Sequence, residues 1–258
     1  MKQIREIVAL LVQVAQSAAT MRAALFILPY AGVLIGLDVA AHYGSLTDAP
    51  LPVQFYLASD RSFGEFLEYS LTFAVAVMTF LLWRSQRTTV YLANSVLFAF
   101  LTLDNWVELH EQFGLAVGPT LGMIEGIPVE GSHLAEASMM IGVGAFWVVA
   151  LALGLREAKG QAVVFNLALA GCVFGAAMFG VVVDLLVVWG EQGKVLHAIL
   201  TFVEDAGEFA MIILAFLLTV GFFDREWRQK PSAASVAQDF GFTSGSAAGR
   251  PAVQTLPQ

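Results

Sequence analysis

The chain has 258 residues, of which 58% are hydrophobic and 13% charged, and it carries a formal charge of −8 at pH 7. Soluble domains hold about 25% charged residues, so this composition excludes an ordinary soluble domain. It points to an all-α integral membrane protein that crosses the bilayer repeatedly. The acidic balance argues against nucleic acid as a partner, because a phosphate backbone is met by basic surface; the partner the composition calls for is the lipid bilayer.

Residues 1–20, MKQIREIVALLVQVAQSAAT, join a basic start to a short apolar core. This pattern also reads as a signal peptide cut after Ser17, but the charge distribution described below favours an amphipathic interfacial or cytoplasmic helix. Six apolar runs follow, at 21–41, 63–83, 89–110, 134–155, 162–190 and 195–222. Each is long enough for the roughly 20 residues that a helix needs to cross the hydrocarbon. The expected fold is a bundle of six transmembrane helices over 21–222, with a tail at 223–258 that is rich in Ser, Ala, Gly and Gln and reads as largely disordered. The lone Cys172 allows no intrachain disulfide.

Lys and Arg in short loops collect on the cytoplasmic side. Lys2, Arg5 and Arg22 precede the first span, Arg84 and Arg87 join the second to the third, Arg156 and Lys159 join the fourth to the fifth, and Arg225, Arg228 and Lys230 follow the sixth. The alternate connections hold only Arg61 and Lys194. Both termini are therefore expected in the cytoplasm. A cleaved signal would invert this pattern. The two long outer connections, 42–62 and 111–133, are apolar and proline-containing, and are expected to lie on the membrane over whatever is beneath them.

With that orientation, the ionisable residues within the spans fall in one half of the bilayer. The first span carries Asp38 and His42 near its exit, and the second opens with Glu65, Glu68 and Tyr69. The third ends in LTLDNWVELHEQ, with Asp104, Glu108, His110 and Glu111; read as one helix, its three acids share an arc of about 60°. His133 and Glu136 begin the fourth span, Asp184 lies toward the outer end of the fifth, and the sixth carries His197, Glu204, Asp205 and Glu208. On the sixth, His197, Thr201, Glu204 and Glu208 share an arc of about 60°, which makes it the mate of the third span; Glu108 and Glu204 are expected to face one another. His42, Asp48, Glu125, Glu130 and Glu191 read as solvated loop residues.

An isolated charge at a helix centre costs about 2.5–3.5 kcal/mol even on the lenient insertion scale, and two cations cannot neutralise so many acids. Bound metal, protonated carboxylates or a water-filled vestibule would each do so. Carboxylates mixed with imidazoles suit a divalent Zn, Mn or Fe ion. The expected ligands are Asp104, Glu108, His110, Glu111, His133, Glu136, His197, Glu204 and Glu208, supported by Glu65, Glu68, Asp184 and Asp205. The ordered Glu and Glu-x-x-His set of a di-iron bundle is not present; nor is His-Glu-x-x-His, a Gly-x-Ser-x-Gly elbow or a phosphate loop.

The strings LDNWVELHE (103–111) and VEDAGEF (203–209) resemble a pattern in uncharacterised bacterial multipass membrane proteins. There, a Leu-Asp-Asp/Asn stretch running into Leu/His-Glu is followed in a later span by a Glu-Glu/Asp pair. The resemblance covers two short segments and implies a bacterial inner-membrane location but no activity. Glu208 stands where that pattern often has Lys, which makes this chain more acidic there.

Three functions fit these residues. The preferred one is a metal-dependent membrane enzyme acting on a lipid or small amphiphile. The alternatives are a cation- or proton-coupled transporter and an accessory subunit whose acids line a wet vestibule. The acids' confinement to one half of the bilayer weighs against a transporter, whose site usually sits near the midplane.

Overall fold

The computed structural model describes residues 2–57, 59–121, 130–183 and 193–228. The chain divides after Arg225 into a helical unit and a unit of Glu226–Gln258, of which the described residues only finish the last helix. The helices are α1 (Lys2–Ala15), α2 (Ala18–Leu46), α3 (Phe63–Gln86), α4 (Thr89–Val107), α5 (Leu109–Leu121), α6 (Gly131–Glu157), α7 (Gln161–Ala177) and α8 (Lys194–Arg228). A short 3-10 turn covers Val53–Phe55, and wide π turns extend α7 over Met178–Val183. Among the described residues there is no strand. Six helices (α2, α3, α4, α6, α8, and α7 with its π extension) are long and apolar enough to cross a membrane.

Local chemistry sets the helix starts. Ser17 ends α1 and caps α2, its Oγ accepting from the Thr20 N–H at 3.1 Å. Ser62 caps α3 by accepting from the Glu65 N–H at 3.0 Å. The six long helices turn large apolar side chains outward: Leu25, Phe26, Ile141 and Phe146 are each more than 60% exposed, which is the arrangement expected when the surrounding medium is hydrocarbon. On α1, Leu10 and Val14 are buried against the bundle while Ile7, Val8 and Val12 stay exposed, as an interfacial helix would be.

The core has two parts. The larger lies toward the basic loops and joins Leu10 and Val14 of α1, Val75 and Leu82 of α3, Tyr91 and Phe98 of α4, Trp147 and Leu151 of α6, Phe165 and Leu169 of α7, and Phe222 of α8. Within it Phe165 stacks on Phe222 at 4.1 Å between ring centres. Three of its buried polar side chains form a chain of hydrogen bonds: Trp147 Nε1 donates to Asn94 Oδ1 at 3.0 Å, Asn94 Nδ2 to Asn166 Oδ1 at 2.5 Å, and Asn166 Nδ2 to the Ala162 carbonyl at 2.7 Å. Gly154 of α6 lies against the Val90 backbone of α4, where any Cβ would collide. The smaller part packs Ala31 and Leu34 of α2, Leu67 and Leu71 of α3 and Phe209, Ile212 and Ile213 of α8 under Leu57. It forms the floor beneath the acidic end of the bundle.

Two sequence expectations change. The first span continues to Leu46 instead of stopping at 41, so His42 belongs to the helix. The third is not one helix through 110: it stops at Val107, Glu108 takes a left-handed conformation (φ 55, ψ 45), and α5 starts anew at Leu109. A left-handed residue reverses the local path of the chain, so the shared arc of Asp104, Glu108 and Glu111 calculated for a continuous helix does not exist.

Candidate metal centre

At the acidic end the α2–α3 connection folds back over α2. Asp38 is fully buried about two turns before the end of α2; its Oδ1 accepts from the Leu57 N–H at 3.0 Å. Ser62 Oγ donates to the Leu57 carbonyl at 2.7 Å, and Tyr56 Oη donates to the Ala41 carbonyl at 3.1 Å. Gly64 sits directly under the Leu57 backbone, a contact that a side chain would prevent. These bonds hold Tyr56, Leu57 and Ser62 as a cover over Asp38.

One turn on, the His42 ring meets the Tyr56 ring edge-on at 5.0 Å and leaves His42 only 13% exposed. Its Nδ1 lies 3.1 Å from the Asp38 carbonyl and 3.4 Å from Asp38 Oδ1. A carbonyl can only accept, so Nδ1 carries the hydrogen and the neutral ring keeps its lone pair on Nε2. Fixing one ring nitrogen on a backbone carbonyl is the usual way a ligating histidine is oriented. Asp205 of α8, also buried, completes a group in which one ligand atom each from Asp38, His42 and Asp205 lies within 4.8 Å of the others. Asp38 Oδ2 is buried with no hydrogen-bond partner. Two carboxylates, an imidazole and an oxygen lacking a donor are the set a divalent cation would satisfy.

Next to this group is a cavity of about 430 Å³ between the end of α2 and the start of α8, lined by His42, Ser45, Leu46, Tyr56, Lys194, His197, Ala198 and Thr201. The Thr201 hydroxyl is buried without a hydrogen-bond partner.

The residues expected as ligands from the sequence are distributed around this end. Glu68, half-buried on α3, is in electrostatic range of Asp205, Glu208 and Glu65. The Glu208 carboxylate packs over Gly180, and Glu204 is half-buried on α8. His197 is exposed at the cavity. Asp184 lies outside the described residues, as do Glu125 and Glu191. On the other side, Asp60, Glu108 and Glu111 form a second group within 4.8 Å, with Asp60 exposed and the other two half-buried. The Arg61 N–H donates to Glu65 at 2.5 Å, beside Asp60 and Glu108. Neither group of three unites Glu108 with Glu204.

Asp104 serves the chain break. Its Oδ1 accepts from the His110 N–H at 2.9 Å, which caps α5, and its Oδ2 lies 3.0 Å from His110 Nδ1. That hydrogen bond raises the His110 imidazole above its ordinary range, against an opposing effect of burial. Glu111 is raised by burial first and by the charges of Asp60 and Glu108 next. His133 and Glu136 pair at 3.4 Å on α6, and Glu136 fills the space over Gly114 of α5.

Asp38, His42 and Asp60 were not expected as ligands. The signal that finds the first two is the Asp-x-x-x-His spacing, which puts both on one helix face; Asp60 has no comparable signal. No family model, curated protein or solved structure matches this chain, so the site is read from its own geometry.

Proposed function

We propose that this chain is a membrane-embedded, metal-dependent enzyme acting on a lipid or small amphiphile, with its centre on Asp38, His42 and Asp205. The observation that carries the reading is the fully buried Asp38, whose Oδ2 has no donor although a second buried carboxylate and an imidazole lie within chelating reach. Two adjacent buried carboxylates repel, and a divalent cation removes that repulsion while taking up the orphan oxygen. One imidazole with two carboxylates suits Zn, Mn or Fe better than an all-oxygen ion such as Ca.

Three protein ligands leave coordination positions for water and substrate. An ion there would polarise an ester oxygen and lower the pKa of a bound water. Asp38, His42 and Asp205 would hold the ion and orient it, and the chemistry it would supply is activation of a water for ester hydrolysis. Glu68, within electrostatic range of Asp205, is the carboxylate on α3 that would take up a proton in such a reaction and return it to the leaving alcohol. The fold presents the centre to the outer half of the bilayer if the basic loops are cytoplasmic.

The competing account is a proton shared between Asp38 and Asp205, as a proton-coupled transporter would use. Elemental analysis of detergent-purified protein separates the two. The metal reading expects one Zn, Mn or Fe per chain, lost in both Asp38→Asn and Asp205→Asn and retained in Glu111→Gln. Metal-free protein after reloading, with a protonated carboxyl C=O band in the infrared that disappears in Asp38→Asn, would overturn it in favour of the shared proton.

A further inference from the structure

We infer that the cavity beside His42 binds the anionic headgroup of a bilayer lipid and is where the substrate of the proposed centre docks; this rests on the metal reading above. The cavity, at about 430 Å³, takes a headgroup and the first carbons of its chains, not a whole lipid. Its walls divide by chemistry. Leu46, Ala198 and the Tyr56 ring supply apolar surface, while Lys194, His197, Ser45 and Thr201 supply hydrogen-bond donors.

The charge arrangement is unusual for this end of the protein. Arg61 and Lys194 are its only Lys or Arg among the described residues, and Lys194 lines the cavity while Arg61 does not. Lys194 is also the first residue of the 35-residue α8, so the positive end of that helix's dipole lies at the cavity wall. A cation, an imidazole, a helix start and a buried Thr201 hydroxyl without a partner all favour an anion. His42 belongs both to the cavity wall and to the ligand group, so a headgroup held here has its ester linkage next to the ion. The adjoining surface is apolar: Tyr43, Val195, Leu196 and Ile199 are all more than half exposed, as lipid-facing residues would be. An amphiphile can therefore keep its chains in the bilayer while its headgroup enters between α2 and α8.

The test uses the full chain in nanodiscs of phosphatidylcholine, with short-chain phosphatidylglycerol as the added ligand and native mass spectrometry as the readout. Phosphatidylglycerol should bind at one copy per chain, in preference to added phosphatidylcholine of the same chain length, and glycerol phosphate in the same concentration range should not displace it. Lys194→Glu should weaken binding by about tenfold or more. Leu46→Trp, which fills the cavity from its apolar wall, should do the same, and neither change should alter metal content. Equal binding of the two lipids, or binding unaffected by both substitutions, overturns the inference. Displacement by glycerol phosphate would assign the cavity to a free anion and overturn the lipid assignment. Selective lipid binding to metal-free protein would leave the cavity standing and remove the catalytic reading; metal without selective lipid binding would do the reverse.

Discussion

His110 shows how one side chain can look like a ligand in sequence and act first as a structural partner. Asp104, 1% exposed, spends both oxygens on it, one on its N–H and one on its ring. The folded-state pKa of His110 is raised mainly by that hydrogen bond. A raised histidine contributes stability that is fully present below its unfolded pKa of about 6.5 and is lost as pH rises through the folded value. The thermal midpoint in detergent should therefore fall as pH increases from about 6.5 through the raised His110 range. Asp104→Asn, which keeps an acceptor for the His110 N–H but removes the charge, should flatten that slope. Glu111 is also raised, mainly by burial, and the His110 charge acts on it, so both proteins are compared in a Glu111→Gln background. Parallel slopes for the two proteins would show that the pair does not set the pH response. At this scale the sequence was a partial guide. The candidate acids and histidines among the described residues gather at one end, but the fall in hydropathy at residue 41 places His42 in water, whereas Tyr56 folding over it is a tertiary contact that hydropathy does not register.

At the scale of elements, hydropathy located all six long helices, because an apolar run of span length has few alternatives in a bilayer. It missed the break at Glu108. Nothing in LDNWVELHEQ resembles a helix stop: the left-handed residue is a Glu, not a Gly or Asn, and it is held by the Glu108 N–H to Asp104 carbonyl bond at 2.7 Å and by the Asp104 cap on α5. The consequence is that Glu108 and Glu111 turn toward Asp60 on the α2–α3 connection. The opposite end of the bundle depends on the bonds between Trp147, Asn94 and Asn166, which tie α4 to α6 and α7. Asn94→Leu keeps a side chain branched at Cγ, though a bulkier one, but leaves the Trp147 N–H and Asn166 Oδ1 unmatched. Membrane hydrogen bonds average about 0.6 kcal/mol and reach about 1.7, so losing two, with buried groups left unpaired, should cost about 1–2 kcal/mol. Denaturant titration in mixed micelles measures this; a variant as stable as the parent would mean that the network is dispensable.

For the whole molecule the decisive quantity is the direction in which the bundle crosses the membrane, because it determines which leaflet would supply a substrate to the proposed enzyme. The connections at the end with the larger core carry Arg84 and Arg87 between α3 and α4, and Arg156 and Lys159 between α6 and α7; Arg225 lies near the end of α8. Arg225 Nη1 also donates to Gln13 of α1 at 2.7 Å, which holds the N-terminal helix at that same end. The acidic end has Arg61 and Lys194 alone among the described residues. Lys and Arg in short loops stay in the cytoplasm during insertion, so the Asp38–His42–Asp205 group and the cavity should face outward. Two exposed serines at opposite ends report this: Ser45 in the last turn of α2 and Ser85 in the last turn of α3. In a Cys172→Ala background, where the buried native thiol is gone, Ser45→Cys should react with a membrane-impermeant maleimide in intact cells. Ser85→Cys should react only after the membrane is opened. The reverse pattern would place the acidic end in the cytoplasm, and the lipid reaching Lys194 would then have to come from the inner leaflet.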